Sequence, residues 1–222
     1  MKKKTLTLGI LSLTFILSAC GTEKPQNTEE ITNNLPQENL LSNNENTQMT
    51  CKEAIQQYLQ NADTQGHGAE IKAGDQITVD YIGRLDDETV FDTSIESIAK
   101  ACGKYNEARN YQEGLTFYVG VEPREMIEGF EAGVMGMKVG QTKTVTFGPE
   151  QGYGQPRAEL IMSFPLSDLP NADDFQEGMV IYLDYGTPAT ITKKTDKEIT
   201  LDMNHELAGK DLTFDITIKS IN

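Results

Sequence analysis

The chain has 222 residues, a formal net charge of −15, no tryptophan and only two histidines. Its length suits one core domain with additional segments. Nucleic-acid binding requires a basic face, so the excess of acidic residues argues against a nucleic-acid partner. The two histidines argue against a histidine-built metal site, and we expect no metal and no cofactor.

The N-terminus has the organisation of a secretory signal. Lysines at positions 2–4 precede an apolar run, Leu6–Leu17, that is too short to span a bilayer comfortably. Small residues follow, which predicts a signal peptide over residues 1–19. The sequence Leu-Ser-Ala-Cys that ends at Cys20 resembles the lipobox of bacterial lipoproteins. This resemblance implies lipidation of Cys20 and an extracytoplasmic protein anchored in a bacterial membrane, inner or outer. The alternative is an ordinary signal peptide with a chance cysteine.

Two further segments precede the expected core. Residues 20–50 are rich in Asn, Gln, Thr and Glu, and such composition cannot bury enough surface to offset its ordering entropy. We therefore expect a disordered tether there. Residues 51–69 form an N-terminal element, helical from Cys51 to Asn61, because its apolar residues recur at three- and four-residue spacing. Thr50 and Glu53 fit a capping box, and Gly66-His67-Gly68 ends the element.

The core pattern begins near Ile71 and alternates as half-buried strands do. We expect residues 95–113 to be a long polar connection that contains Cys102. We expect a short helix over Met126–Val134. Strands are predicted at Ile77–Tyr81, Thr89–Thr93, Leu115–Val119, Thr142–Phe147 and Leu212–Ile218.

The segment Glu125–Gly154 resembles the signature of FKBP-type peptidyl-prolyl isomerases. It places Gly129-Phe130-Glu131, Gly140-Gln141 and Tyr153-Gly154 in the family's order and spacing. The resemblance implies an α+β fold in which an antiparallel sheet wraps around a short helix. It also implies prolyl cis-trans isomerisation, with unfolded or proline-containing protein segments as partners. We expect a monomer.

A long interval separates Gly154 from the last strand. It contains strand-like runs at Met179–Leu183, Ala189–Thr192 and Glu198–Leu201. A structureless loop of this length is uncommon in a compact domain. We therefore expect a small, mostly-β insert over residues 157–203, with the isomerase domain formed by residues 70–156 and 204–222.

The segment Asn204–Gly209 resembles the return junction of SlyD-type isomerases, whose insert-in-flap domain lies at this place. By this resemblance the insert would act as a chaperone. Many SlyD-type proteins end in a metal-binding tail rich in His and Cys. The sequence has no such segment after the last strand, and we infer no metal function from the resemblance.

The family motif implies an apolar pocket for proline. Phe130 would be its floor, Asp92 would lie at the rim near Tyr81, and the Tyr153 hydroxyl and Ile127 N–H would bind substrate carbonyls. Leu115 and Met126 would contact substrate. The expected catalytic residues are Tyr81, Phe91, Asp92, Ile127, Phe130, Tyr153 and Phe214.

Each of these assignments has a structural alternative. The phenylalanines could be core residues, and Asp92 could be a solvated turn carboxylate. His205 would be a junction residue with a structural hydrogen bond rather than a catalyst.

The insert contributes a second set of apolar residues, which would hold unfolded segments. They are Leu160, Ile161, Met162, Phe164, Leu166, Leu169 and Phe175. The alternative is that several of them form the core of the insert. At the level of function, the alternative is an FKBP-fold scaffold or binding lipoprotein with weak catalysis. A solute-binding lipoprotein would require a larger, two-lobed chain.

Two cysteines remain besides Cys20. Thiol pairs outside the cytoplasm are commonly oxidised, so we expect a disulfide between Cys51 and Cys102. The alternative is two free thiols.

Overall fold

The computed structural model describes residues 49–85, 89–169, 174–183 and 186–222. The expected signal peptide, the lipidation site Cys20 and all but the last two residues of the expected tether lie outside these ranges. Among the described residues, no helix combines the length and the apolar character needed to cross a membrane.

Three α-helices are found in the described part of the chain: α1 (Cys51–Gln60), α2 (Glu96–Ala101) and α3 (Glu128–Val134). The predicted capping box is confirmed, since the Glu53 N–H donates to the Thr50 hydroxyl and the Glu53 carboxylate accepts from the Thr50 N–H. Helix α2 was not predicted within the long polar connection expected over residues 95–113. Its buried face is only Ile98 and Ala99, which is too short a pattern to show helical periodicity.

The described strands are β1 (His67–Glu70), β2 (Gln76–Arg84), β3 (Val90–Thr93), β4 (Leu115–Tyr118), β5 (Lys138–Val139), β6 (Thr142–Phe147), β7 (Ile161–Pro165), β8 (Val180–Tyr182), β9 (Pro188–Lys194), β10 (Glu198–Asp202) and β11 (Leu212–Ile221). The five predicted core strands are confirmed within a few residues. Strand β1 was not expected. All four of its residues are exposed, so it has no apolar alternation, and it pairs with β5.

The main sheet is antiparallel and has the order β3-β2-β11-β6, with β4 added to β2. Strand β11 lies in the middle, where Phe214 is opposite Gly83 on one side and Val145 on the other. The glycine is required by close packing, because a Cβ at Gly83 would lie 2.6 Å from the Phe91 ring and 2.9 Å from the Phe214 ring. Gly83 therefore lets two aromatic rings pack over the sheet.

The two faces of the main sheet carry different cores. Helix α3 packs on one face, where Phe130 and Val134 join the predicted inward residues of β2 and β11. Helices α1 and α2 contribute to a second cluster with Ile82 and Val90. The α+β architecture is as expected, an antiparallel sheet packed on a short helix.

Residues 161–202 contain a separate four-stranded antiparallel sheet of order β7-β10-β9-β8. The three predicted strands of this region are confirmed, and β7 is an additional strand. The sheet has its own core of Ala189, Ile191, Ile199 and Leu201, all of which are buried. In sequence it lies between β6 and β11 of the main sheet. The boundaries 157–203 stay a prediction.

Cys51, the first residue of α1, is bonded to Cys102, which follows α2. Their Cα atoms are 4.5 Å apart, within the range of protein disulfides. The bond joins the two helices that cover the second cluster. It also fixes the point at which the 103–113 loop begins.

Candidate active site

A cavity of about 420 Å³ lies beside α3 on the face of the main sheet that this helix covers. It brings together all seven residues expected to be catalytic, and also Leu115 and Met126. The complete lining is Tyr81, Phe91, Asp92, Leu115, Glu125, Met126, Ile127, Phe130, Tyr153, His205, Glu206, Leu207 and Phe214. A larger groove of about 700 Å³ between α1 and α2 contains none of these residues.

The floor of the cavity is aromatic. The ring of Phe130 packs edge-on against Phe214 and Tyr81, with centroids 5.0 and 6.0 Å apart, and its side chain is 0% exposed. The Phe91 ring meets Phe214 in the same way at 5.5 Å. Edge-to-face contacts of this kind fix ring orientation as well as burying apolar area. Phe130 therefore serves the core and the pocket at once, and the two interpretations of this residue do not exclude each other.

The polar rim is a three-residue network. The Tyr81 hydroxyl donates to the Asp92 carboxylate. Arg109 donates to both partners, with Nη1 2.5 Å from Asp92 Oδ1 and Nη2 2.6 Å from the Tyr81 oxygen. Asp92 is thus paired with Tyr81 and Arg109, although its side chain remains partly exposed.

Arg109 was not among the residues predicted for this site. It lies 17 positions after Asp92, in the segment expected to be a long polar connection. No local motif marks it, because its partners Asp92 and Tyr81 lie 17 and 28 positions away in the sequence.

Burial raises the pKa of Tyr81 well above its ordinary value, and the neighbouring Asp92 carboxylate raises it further, against the opposing effect of Arg109. The phenol therefore keeps its proton throughout the physiological pH range. It acts as a permanent donor to Asp92.

Two donors at the mouth of the cavity have no acceptor among the described residues. One is the backbone N–H of Ile127, the residue that caps the N-terminus of α3. The other is the hydroxyl of Tyr153, whose side chain is 39% exposed. Burial, followed by the charges of Asp92 and Glu206, raises the pKa of Tyr153, so this hydroxyl also stays protonated. Both groups can donate to a bound carbonyl.

His205 also lines the cavity, although it was expected to be a junction residue only. Its ring stacks on Tyr153 with centroids 3.8 Å apart and an interplanar angle of 4°. The expected structural hydrogen bond exists, since Nδ1 accepts from the Leu207 N–H at 3.1 Å. Glu125, Glu206 and Leu207 are further lining residues that were not predicted. The motif around Asn204–Gly209 was the available signal for His205, Glu206 and Leu207.

The apolar residues expected to bind unfolded segments are not part of this cavity. Leu160, Ile161, Met162 and Phe164 lie in or beside strand β7. Ile161 and Met162 are 44% and 45% exposed. Phe164 instead packs against the core of the second sheet, as do Leu166, Leu169 and Phe175. For these four residues the alternative of an insert core applies.

The second sheet has a groove of its own, of about 910 Å³. Phe164, Leu169, Phe175, Ile181, Tyr182 and Leu183 are among its lining residues. Three of the half-buried residues just described therefore also present surface to this groove.

In the part of the chain that the structure describes, no group of three or more His, Cys, Asp or Glu side chains is placed to hold a metal ion.

The family model for FKBP-type peptidyl-prolyl cis-trans isomerases matches residues 68–219. The short-type peptidyl-prolyl cis-trans isomerase of Methanocaldococcus jannaschii is 49% identical over 152 residues, which cover 68% of this chain and 94% of that protein. The probable FKBP-type 16 kDa isomerase of Pseudomonas fluorescens is 37% identical over 106 residues, 46% of this chain and 69% of that protein. The isomerase SlyD of Vibrio cholerae is 31% identical over 99 residues, 43% of this chain and 49% of that protein.

The family match covers both parts of the main sheet and the sheet between them, from β1 to β11. It therefore includes the whole aromatic floor and the polar rim. The chain belongs to the FKBP-type peptidyl-prolyl cis-trans isomerases.

Proposed function

We propose that this enzyme isomerises prolyl bonds by holding the twisted amide in the cavity floored by Phe130. The observation that carries the proposal is the combination of an apolar floor with two unpaired donors at the mouth. We further propose that it acts outside the cytoplasm as a lipid-anchored, monomeric folding chaperone.

The chemistry requires no covalent step. Rotation about a peptide bond has a barrier of about 18–20 kcal/mol, because the planar amide is stabilised by resonance. The twisted amide has lost that resonance and is less charge-separated. An apolar cavity that excludes water favours this form over the planar one, and such differential binding lowers the barrier.

The donors and the rim orient the substrate. The Ile127 N–H and the Tyr153 hydroxyl would bind carbonyl oxygens of the flanking peptide. Holding the substrate in one orientation lowers the entropic part of the activation barrier. Asp92 would face the carbonyl of the rotating amide, with its direction held by Tyr81 and Arg109.

The chaperone proposal is supported by the second sheet. Its groove lies beside strand β8, which is at the end of the described sheet order and has one unpaired edge. Tyr182 on this strand is 75% exposed, and Val180 is 53% exposed. Unpaired strand edges accept extended peptides through backbone hydrogen bonds, and apolar pockets beside them hold side chains. Unfolded segments that contain proline would be held there while the isomerase cavity acts on the proline.

The location outside the cytoplasm is proposed from the N-terminal sequence. A basic start, a short apolar run and Cys20 after small residues support secretion followed by lipidation. Each buried acyl methylene contributes roughly 0.8 kcal/mol, so more than one chain anchors a protein firmly.

The isomerase mechanism is tested by exchange spectroscopy on a proline tetrapeptide with residues 21–222 at micromolar concentration. We expect acceleration of cis-trans exchange, and a loss of roughly fivefold in Tyr153→Phe, because one hydrogen bond contributes on the order of 1 kcal/mol. An inactive wild-type protein would favour a binding module with weak catalysis. Full activity in Tyr153→Phe would contradict the role given to its hydroxyl.

A further inference from the structure

We propose that His205 is a positioning residue for the isomerase reaction. Its ring holds the Tyr153 ring so that the Tyr153 hydroxyl stands at the mouth of the cavity. This inference rests on the proposed function, in which that hydroxyl orients the substrate.

The first support is the geometry of the two rings. They lie face to face, 3.8 Å apart and 4° from parallel, and both line the cavity. The Tyr153 ring makes no other ring contact among the described side chains, and its hydroxyl has no acceptor there. It is also partly exposed and is followed by Gly154, which has a positive φ of 74°. The stack is therefore a specific restraint on the direction of the Tyr153 ring.

The second support is that His205 is itself held in place. Its Nδ1 accepts from the Leu207 N–H, and its carbonyl accepts from the Ala208 N–H at 2.8 Å. Leu207 is buried in the main core. Because Nδ1 is an acceptor, the neutral ring carries its proton on Nε2. A ring fixed in this way can restrain the ring that is stacked on it.

The third support is the pairing of the two chain segments that carry the rings. The Gly209 N–H donates to the Gly154 carbonyl at 2.8 Å. The Asn204 side chain accepts from the Arg157 N–H at 2.8 Å and donates to the Arg157 carbonyl at 3.1 Å. These bonds join the segment that leads into the second sheet to the segment that returns from it. The stack lies within this paired region and is therefore held in register.

Two substitutions test separately the ring stack on Tyr153 and the hydrogen bond from the Leu207 N–H to His205. His205→Asn keeps an acceptor for the residue 207 N–H, as asparagine does in Asx turns, but it removes the stack. His205→Phe keeps a flat ring against Tyr153 but removes the hydrogen bond. If His205 positions Tyr153, His205→Asn should lose roughly as much kcat/KM as Tyr153→Phe, about fivefold. His205→Phe should stay within about twofold of wild type.

The test is a double-mutant cycle on residues 21–222, with kcat/KM for a proline tetrapeptide as the readout. In the His205→Asn background, Tyr153→Phe should cause no further loss, because the hydroxyl is already misplaced. Losses that multiply would overturn the proposal, as would full activity in His205→Asn while Tyr153→Phe is impaired. Full activity in Tyr153→Phe itself would contradict the proposed function of the hydroxyl, and this inference with it.

A spectroscopic measurement keeps the proposal testable if a variant is less stable. Ring protons of Tyr153 beneath a stacked ring are shielded, so their NMR signals should shift downfield in His205→Asn and stay near wild type in His205→Phe. Tyr153 signals that do not respond to His205→Asn would overturn the proposal.

Discussion

Asp92 and Arg109 form an ion pair at the rim of the cavity, with Oδ1 and Nη1 2.5 Å apart, although 17 positions separate them in the sequence. Arg109 also donates to the Tyr81 hydroxyl, which in turn donates to Asp92. The pair is partly exposed, at 33% and 46%, so its direct contribution to folding stability is small. Its effect is to fix the direction of Asp92.

Arg109→Gln should therefore reduce catalysis more than stability. We expect kcat/KM to fall roughly tenfold, because Asp92 and Tyr81 lose their common donor, while the free energy of unfolding changes by less than about 1 kcal/mol. Lys100→Gln is the matched control, since Lys100 is a nearby cation on α2 that pairs with Glu96. Equal activity in wild type and Arg109→Gln would show that Arg109 does not contribute to catalysis.

The second sheet should be separable from the isomerase cavity. Replacing residues 157–203 by a short loop that contains glycine should leave a folded core, because β11 still pairs with β2 and β6. Tetrapeptide isomerisation should survive, since the cavity lining lies outside this segment. Proline-limited refolding of an unfolded protein should slow greatly. A trimmed enzyme that refolds such a client at the full rate would show that the second sheet is not the chaperone site.

The disulfide between Cys51 and Cys102 closes a span of 51 residues. Loop-closure entropy suggests up to roughly 4 kcal/mol of stabilisation. Because Cys102 starts the loop that carries Arg109, reduction should loosen both α1 and the rim, with little loss of the main sheet. The mature, lipidated protein should show no reactive thiol under denaturing, non-reducing conditions. Two reactive thiols would rule the bond out.

The lipid anchor depends on Cys20. Cys20→Ser should leave the protein unlipidated, and it should either leave the membrane fraction or remain an unprocessed precursor. The measurement is metabolic labelling with a fatty acid, followed by fractionation. Labelling of the variant at the wild-type level would contradict the lipobox assignment.

The sequence predicted the parts of the fold that show regular patterns. Alternation located β2, β6 and β11, and the family motif located the aromatic floor. The exposed strand β1 and the short helix α2 had too few apolar residues to be recognised. The contacts of Arg109 and the Tyr153–His205 stack join residues that are distant in sequence. The local spacing of residue types does not predict such contacts. Phe164 was expected to hold unfolded segments, but it packs against the core of the second sheet. Its position in the sequence does not distinguish a core residue of the insert from an exposed one.

Phe130 offers the most direct test of the cavity, because a neighbour serves as its control. The ring centroids of Phe117 and Phe130 are 5.8 Å apart, and both side chains are buried. Phe117 does not line the cavity. Leucine at either position should cost stability on the order of 1 kcal/mol, since both changes remove buried ring atoms. Only the Phe130 change alters the floor beneath the substrate.

The decisive measurement is the rate of cis-trans exchange of a proline tetrapeptide by NMR, with equal concentrations of folded wild type, Phe130→Leu and Phe117→Leu. We expect Phe117→Leu to accelerate exchange within about twofold of wild type, and Phe130→Leu to lose at least roughly tenfold, because it alone removes the aromatic floor. Exchange in Phe130→Leu as fast as in Phe117→Leu would contradict catalysis on this floor.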